Sequence, residues 1–304
     1  MPVNMRLAAP AQNAGELSAL RDAGAGEVYC GLLEPSWRER YGSHDSMNRR
    51  QGLANLQSRD ALAALVRRAG QLSLPVFLTL NARYTPPQYP LVLDTARYFE
   101  AAGGTGLHVS DPGLATALRE AGVGLRLSVS LLAVCTNRHT ARLWAGLGAG
   151  RIVFPRSLSP REMGLILAAV PGMEGEAMVM GDLCPLIDGL CRCYHGVGYR
   201  ADPSGGGARR TVPTFDTTFT ALACDAWGLR PGGMPCAACR MPELAGGGVG
   251  VGKLGGRGTP LAHRLSMLRF LQECRRQPDT DGYPALYRSC FGTECHCYYR
   301  EAEP

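Results

Sequence analysis

The first 180 residues alternate short β-rich apolar runs with stretches of helical periodicity, and this alternation is the feature that most narrows the fold. It is typical of βαβ units, which build a parallel sheet. Strands are predicted at residues 6–9, 27–31, 76–80, 106–109, 125–128, 151–154, 176–180 and 249–253. Parallel strands in this number close a TIM-like (β/α) barrel, which needs roughly 250 residues.

Helices are predicted between these strands, and two of them have clear start signals. Asp111 supplies an N-cap oxygen ahead of Pro112, and Ser159 and Glu162 form a capping box around Pro160. The other predicted helices are residues 14–23, 61–72, 88–102, 138–147 and 261–275. Several helices are followed by a glycine that can end them in the left-handed conformation, at Gly24, Gly103, Gly122 and Gly148.

Two stretches break the alternation. Residues 34–57 are a predicted polar loop, and residues 181–247 are rich in glycine, proline and cysteine. The second stretch is much longer than a βα connection requires, which is typical of a functional loop. We therefore expect a barrel over residues 1–275, including the cysteine-rich insertion 181–247, followed by a short Cys- and Tyr-rich tail at 276–304.

Composition is that of an ordinary globular chain, with 45% hydrophobic and 19% charged residues. No apolar run is long enough to cross a bilayer, so no membrane span is expected. The first residues lack the features of a secretory signal, and a cytoplasmic location is the corresponding expectation. The net charge of +6 suits an anionic partner, but the arginines are scattered, so charge alone does not select one.

The 12 cysteines are the strongest chemical signal. In a reducing compartment, clustered thiols indicate metal binding or catalysis. Cys184 and Cys191 follow the seventh predicted strand, and Cys236 and Cys239 form a Cys-x-x-Cys turn before the eighth. Four thiolates from these segments can hold a 4Fe–4S cluster, and zinc accepts the same sulfurs, so spacing does not separate the two. Further thiols of this loop are Cys193 and Cys224.

The remaining cysteines lie in the tail or stand alone. The tail carries Cys290, Cys295, His296 and Cys297. Three thiols need a fourth ligand to complete a second metal site, and a packed tail of reduced cysteines is the alternative. The isolated cysteines are Cys30, Cys135 and Cys274, and buried thiols of this kind usually act as small hydrophobic side chains.

Polar side chains follow most of the predicted strands, where the active site of a parallel barrel lies. They are Cys30, Asn81, Arg83, Ser110, Asp111, Ser128, Ser130, Arg156, Cys184 and Arg257. The three arginines among them indicate a site for an anion or carboxylate, whereas Asn81, Ser130 and Asp111 suit turns and helix caps equally well. His195 follows the cysteine loop and can reach the mouth, while His108 lies inside a strand and is expected to be structural. No zinc-protease, nucleophile-elbow or P-loop motif is present.

A series of segments in chain order carries a family pattern. They are LAAPA at 7–11, GAGEVYCGL at 24–32, TLN at 79–81, VSDPG at 109–113, Ser130, Asn137, FPRSLS at 154–159, GDLC at 181–184, GLC at 189–191 and GKLGGR at 252–257. Together these segments resemble the collagenase-like peptidase family, group U-thirty-two, over residues 5–275.

The resemblance implies a cofactor and its ligands. Members of this family include oxygen-independent hydroxylases that hold a 4Fe–4S cluster on four cysteines, with prephenate as the oxygen donor in several cases. The family motif carries over to Cys184, Cys191 and Cys236. The Asn-x-Gly-x-Cys segment that supplies another ligand in many relatives is missing, so Cys239 is the favoured fourth ligand and Cys224 the alternate, with Cys193 also a candidate.

The resemblance also implies a function. We expect an iron–sulfur-dependent, oxygen-independent hydroxylase or related redox enzyme, with Asn81, Arg156 and Arg257 at its catalytic site. Members act on a ubiquinone precursor or on RNA bases; those that modify RNA carry additional domains, which favours a small-molecule substrate here. Ser157 and Gly256 stand where the family has acidic residues, so general acid or base roles are not transferred to them.

Two alternatives to this function follow from the same residues. Some family members work as heterodimers, so the chain can instead be a non-catalytic partner of a related barrel subunit, with a structural cluster or zinc. The family name also invites a peptidase, for which the sequence offers no recognisable nucleophile or water-activating metal.

Overall fold

The computed structural model describes residues 2–41, 47, 48, 50, 54–181, 188, 189, 199, 200, 209, 210, 235–277 and 281–299. Within these ranges, eight strands form one parallel barrel, because the last of them pairs with both the first and the seventh. The predicted barrel is therefore confirmed. Its strands are β1 (Arg6–Pro10), β2 (Glu27–Cys30), β3 (Val76–Leu80), β4 (Gly106–Val109), β5 (Arg126–Val129), β6 (Ala149–Val153), β7 (Glu174–Met180) and β8 (Val249–Leu254).

The barrel strands are short and largely buried, because helices cover the outside of the barrel and side chains fill its centre. All residues of β3 are buried, for example. Two strands begin earlier than predicted. Ala149 pairs with Leu127 on β5, and Glu174 pairs with Arg151 on β6, so the ladder extends before the apolar core of each strand.

Helices connect the strands around the barrel. They are α1 (Leu17–Asp22), α2 (Pro35–Tyr41), α3 (Arg59–Gln71), α4 (Tyr89–Ala101), α5 (Pro112–Glu120), α6 (Arg138–Gly146), α7 (Pro160–Ala168), α8 (Met241–Gly246), α9 (Leu261–Arg276) and α10 (Tyr283–Phe291), with short 3-10 helices at Ala14–Glu16, Pro86–Gln88, Leu131–Ala133 and Ala238–Arg240. In the part of the chain that is described, no helix is both long and apolar enough to cross a membrane.

Both predicted helix starts are confirmed. The Asp111 side chain accepts a hydrogen bond from the Gly113 N–H at 2.9 Å, which caps α5. Ser159 and Glu162 form the reciprocal capping box of α7. The four glycines predicted to end helices all have positive φ, which a residue with a side chain rarely adopts.

The prediction of a polar loop over residues 34–57 is wrong for its first part, which forms α2. Trp37 is fully buried there, and its ring contacts those of Tyr41 and Tyr84, with centroids 4.7 and 6.2 Å away. Farther along, Leu56 bridges to Leu32 beyond β2. Trp37 thus anchors α2, most of whose other residues are polar, and so short a helix is missed by a search for long apolar periodicity.

The interior of the barrel is charged near the N-terminal ends of its strands. Arg151 donates to both carboxylate oxygens of Glu27, at 2.5 and 3.0 Å, to Glu174 at 2.7 Å and to Glu176 at 3.1 Å. Its guanidinium also lies over the Phe77 ring, 4.4 Å from the centroid. Mutual pairing is what makes burial of these charges tolerable.

The tail packs against the barrel. On α10, Tyr287 and Phe291 contact Phe270 of α9, with ring centroids 5.5 Å apart in both pairs. Beyond α10, the two-residue strand His296–Cys297 pairs in parallel with Pro235–Cys236, which pairs antiparallel with β7. The tail and the start of the Cys-x-x-Cys turn therefore add two short strands to the sheet beside β7. A further two-residue pair, Tyr199–Arg200 with Arg209–Arg210, is antiparallel.

Candidate active site at the barrel mouth

Arg257 is fixed by neutral oxygens just beyond the C-terminal end of β8. It is buried, and its guanidinium donates to Thr79 Oγ1 at 2.8 Å and to Asn48 Oδ1 at 3.1 Å. Gly31 makes room for it, since a Cβ at residue 31 would lie 2.2 Å from both Arg257 Nη1 and Asn55 Oδ1. The predicted site residue Arg257 thus lies in a tight polar cradle at the mouth.

Asn81 lies at the end of β3 and faces β5. Its Nδ2 donates to Ser130 Oγ at 3.1 Å, and its backbone carbonyl accepts from Ser110 Oγ at 2.7 Å. Its side-chain Oδ1 is buried and, among the described residues, has no hydrogen-bond donor. Buried oxygens are rarely left in this condition, so Asn81 is a candidate for contact with a ligand.

Arg156, the third predicted site residue, is clamped by a carboxylate. Asp188 Oδ2 accepts from the Arg156 backbone N–H at 2.9 Å and from Nε at 3.1 Å, and Oδ1 accepts from Nη2 at 2.5 Å. This pair compensates much of the charge of Arg156, so the side chain is better suited to positioning the loop after β7 than to holding an anion. Arg83 is exposed at the mouth.

A second buried network lies deeper in the barrel. Lys253 Nζ donates to Glu176 Oε1 at 2.6 Å and lies 3.0 Å from His108 Nε2, and His108 Nδ1 lies 3.0 Å from Ser128 Oγ. Burial and then the Lys253 charge lower the pKa of His108 well below its usual value. Burial acts to raise the pKa of Glu176, but the charge of Lys253, with that of Arg151, holds it at about 2. His108 is thus a neutral structural side chain, as expected from its place in a strand.

The described thiols at the mouth belong to two segments. Cys236 Sγ lies 2.8 Å from Cys295 Sγ, and Cys239 Sγ donates to Cys297 Sγ at 3.7 Å. The hydrogen bond to Cys295, followed by burial, raises the pKa of Cys236, and the bond from Cys239 lowers the pKa of Cys297 to about 6. The sequence predicts that Cys236 and Cys239 are metal ligands, but it does not predict that the tail cysteines contact them.

The other predicted cysteine ligands and His195 lie outside the described residues. The cysteines concerned are Cys184, Cys191, Cys193 and Cys224. Among the described residues, no group of three or more His, Cys, Asp or Glu side chains already has the arrangement of a metal site. Thiols are the donors that a 4Fe–4S cluster needs, so Cys236 and Cys239 fit the predicted ligand set in their chemistry. The full set remains a prediction.

The isolated cysteines behave as expected. Cys30, Cys135 and Cys274 are all fully buried, and burial raises the pKa of the Cys30 thiol to about 12 and that of Cys135 to about 11. Thiols in this state are small apolar side chains and not nucleophiles. Asp111 caps α5 and also accepts a hydrogen bond from Tyr89 Oη at 2.8 Å, so its role in the structure is to cap one helix and to bind the start of α4.

Sequence reasoning missed Asp188 and Asn48, which hold two of the three predicted site residues. Asp188 is 32 residues from Arg156, and Asn48 is 209 residues from Arg257. Asp188 lies between Cys184 and Cys191 in the sequence, and its place between two predicted ligands could have marked it as a candidate site residue. Asn48 stands in the segment predicted to be only a polar loop, where nothing local distinguishes it.

Two curated relatives share sequence with part of the chain, and both are called tRNA hydroxylation protein P. The protein from Escherichia coli strain K12 is 35% identical over 104 residues, which are 34% of this chain and 23% of that protein. The one from Haemophilus influenzae is 34% identical over 100 residues, 33% of this chain and 22% of that protein. The matched part is thus less than a quarter of each relative.

Structure and family comparisons cover more of the chain. The solved structure of the U32 peptidase Mk0906 superposes with a TM-score of 0.50 at 16% identity, covering 83% of this chain and 93% of that one, which supports the barrel fold alone. The family model described as Peptidase family U32 matches residues 12–274, nearly the whole barrel. The chain therefore belongs to Peptidase family U32.

Proposed function

We propose that this chain is a redox enzyme of the U32 family that hydroxylates its substrate without molecular oxygen. The observation that carries the proposal is the placement of two kinds of group at one end of the barrel. The Cys-x-x-Cys turn pairs with the last residue of β7, and Arg257 follows β8, the neighbour of β7 in the barrel. The hydroxylation named for the two curated relatives supports the reaction class.

The residues of the mouth have distinct proposed roles. Arg257 supplies a cation for an anionic donor or substrate, and Thr79 and Asn48 orient it before any ligand binds, which is how a site lowers the cost of reorganisation. Asn81 offers its buried oxygen to a hydroxyl or amine of the ligand. The proposed role of Arg156 is to fix Asp188, with which it forms an ion pair.

Cys184 and Cys191, with Cys236 and Cys239 or the alternate Cys224, are the proposed thiolates for a 4Fe–4S cluster; zinc is the alternative metal. Such a cluster supplies electron transfer, since four cysteines leave no open iron position. Prephenate is the proposed oxygen donor, and its carboxylates suit the fixed Arg257.

The proposed substrate is a small molecule. A base in tRNA is the second candidate, favoured by the names of the curated relatives and by the net charge of +6. The two candidate substrates predict the added oxygen atom in different products, a small molecule or a tRNA base, so one experiment distinguishes them.

The test compares cells with and without the gene for this chain, grown without oxygen. Mass spectrometry of the small-molecule pool and of digested tRNA should find a product one oxygen atom heavier than its precursor only when the chain is present. Complementation with Arg257→Lys should restore little of it, while Arg142→Lys, a control at an exposed residue of α6, should restore it fully. Identical pools in both strains would contradict the proposal, and co-purification of an active related barrel would favour the non-catalytic partner.

A further inference from the structure

Each thiol of the Cys-x-x-Cys turn contacts one thiol of the tail. Cys236 Sγ lies 2.8 Å from Cys295 Sγ, and Cys239 Sγ lies 3.7 Å from Cys297 Sγ. The partners are 59 and 58 residues apart in the sequence, so the fold and not a local turn brings them together. Two proposed cluster ligands therefore each have a neighbouring thiol that is not itself a proposed ligand.

Contacts other than those between sulfurs hold the tail in this place. The strand His296–Cys297 pairs in parallel with Pro235–Cys236. The Tyr298 N–H donates to the Cys236 carbonyl at 3.2 Å, and the Tyr298 hydroxyl donates to the Gly181 carbonyl at 2.6 Å. Gly181 directly follows β7, where the loop that carries the other proposed ligands begins. The tail thus contacts both segments of the proposed ligand set, and its main chain fixes where its thiols lie.

The hydrogen-bond donor in each thiol pair depends on whether the turn cysteine binds a metal. A cysteine that binds iron is a thiolate, which has no proton and can only accept hydrogen bonds. In the metal-free pair Cys239 donates to Cys297, so the donor has to become Cys297 when Cys239 is a ligand. In the other pair either sulfur can donate, and Cys295 becomes the donor when Cys236 is a ligand.

Hydrogen bonds to ligand sulfurs change the reduction potential of an iron–sulfur cluster. They act together with the net charge and the solvent exposure of the cluster. A donor stabilises the state in which the sulfur carries more negative charge, and this is the reduced state. Two S–H donors on the turn thiolates should therefore make reduction of the cluster easier.

We propose that Cys295 and Cys297 donate S–H hydrogen bonds to the thiolates of Cys236 and Cys239 and thereby raise the reduction potential of the cluster. The tail cysteines do not bind iron and act only through these two ligands. The role rests on the proposed function, because it needs a cluster on the turn cysteines. It goes beyond that function by giving the tail a part in setting the redox chemistry of the site.

The test is a reductive titration of the full chain purified without oxygen, followed by the electron paramagnetic resonance signal of the reduced cluster. Cys295→Ala/Cys297→Ala should keep its iron and sulfide, and its equilibrium constant for reduction should fall about tenfold, which is about 59 mV for one electron. Cys295→Ser/Cys297→Ser retains a donor at each position and should keep most of the native potential. Cys290→Ala, at an exposed cysteine of α10, is the control and should leave the potential unchanged.

A measurement on the unmodified chain makes the test independent of variant folding. The infrared difference spectrum between its oxidised and reduced forms should contain S–H stretching bands, because thiols that contact the ligands respond to the charge of the cluster.

Three results would overturn this role alone. Loss of iron from the alanine variant would make the tail cysteines ligands. An unchanged potential in that variant, or a difference spectrum of the unmodified chain without S–H bands, would show that they donate no hydrogen bond to the ligands. A native chain without iron would instead overturn the proposed function, and this role with it.

Discussion

The interior of the barrel and its mouth use buried polar groups in opposite ways. In the interior, Arg151 is bound to the carboxylates of Glu27, Glu174 and Glu176, and Lys253 shares the last of these. At the mouth, Arg257 meets only neutral oxygens in its described hydrogen bonds, and the Asn81 side-chain oxygen has no donor among the described residues. The interior network is a set of paired charges that belongs to the scaffold, whereas the buried Asn81 oxygen at the mouth marks a place for a ligand.

The largest expected effect comes from breaking the interior network. Arg151→Met leaves Glu27 buried without the cation that binds both its oxygens and removes one of the cations that Glu176 contacts, so we expect a loss of about 3–5 kcal/mol in the free energy of unfolding. Urea denaturation measures it. Arg6→Met is the control, because Arg6 also pairs with Glu27 and Glu174 but is 46% exposed, and should cost about 1 kcal/mol or less. Equal losses in the two variants would remove the distinction between scaffold and surface charge.

At the mouth, the expected effect falls on activity instead of stability. Asn81→Ala removes the oxygen that lacks a donor, so kcat/KM for hydroxylation should fall about 10–100-fold, or roughly 1.4–2.7 kcal/mol. The free energy of unfolding should change by less than about 1 kcal/mol, since among the described residues the Asn81 side chain has one hydrogen bond to lose, that to Ser130. A variant with full activity and reduced stability would place Asn81 in the scaffold.

The pH dependence of stability tests the neutral state of His108. Because its pKa in the folded chain is below the unfolded value of about 6.5, the unfolded chain takes up the proton first. This contribution to stability is fully present above about pH 6.5 and declines as pH falls toward the folded pKa, by up to about 1.4 kcal/mol per pH unit. His108→Gln should flatten the curve of unfolding free energy between pH 7 and 5. An unchanged slope would show that other groups control it.

The smallest effect concerns two glycines. Gly31→Ala places a Cβ against the flexible end of Arg257, so the guanidinium should shift and kcat/KM should fall, with a stability change below about 1.5 kcal/mol. Gly70→Ala, in α3 with open space around the new Cβ, should raise the unfolding free energy by about 0.5–1 kcal/mol without changing kcat/KM. Unaltered turnover in Gly31→Ala would mean that the exact place of Arg257 is unimportant.

Local patterns predicted the barrel but not its polar contacts. The eight strands follow from short apolar runs, and the caps at Asp111 and Ser159 follow from residues within a few positions of each other. The partners Asn48 and Asp188 are set by how distant segments meet at the mouth, which periodicity does not encode. The same is true of the tail: its cysteines are visible in the sequence, but their approach to the Cys-x-x-Cys turn depends on the strand that His296–Cys297 adds beside it.

The most direct test of the proposed iron–sulfur-dependent function is the iron and acid-labile sulfide content of the full chain purified without oxygen, with its absorption spectrum. We expect about four irons and four sulfides per chain and a broad thiolate-to-iron absorption band that bleaches on reduction. Protein that contains neither iron nor sulfide, whether or not it carries zinc, would contradict it.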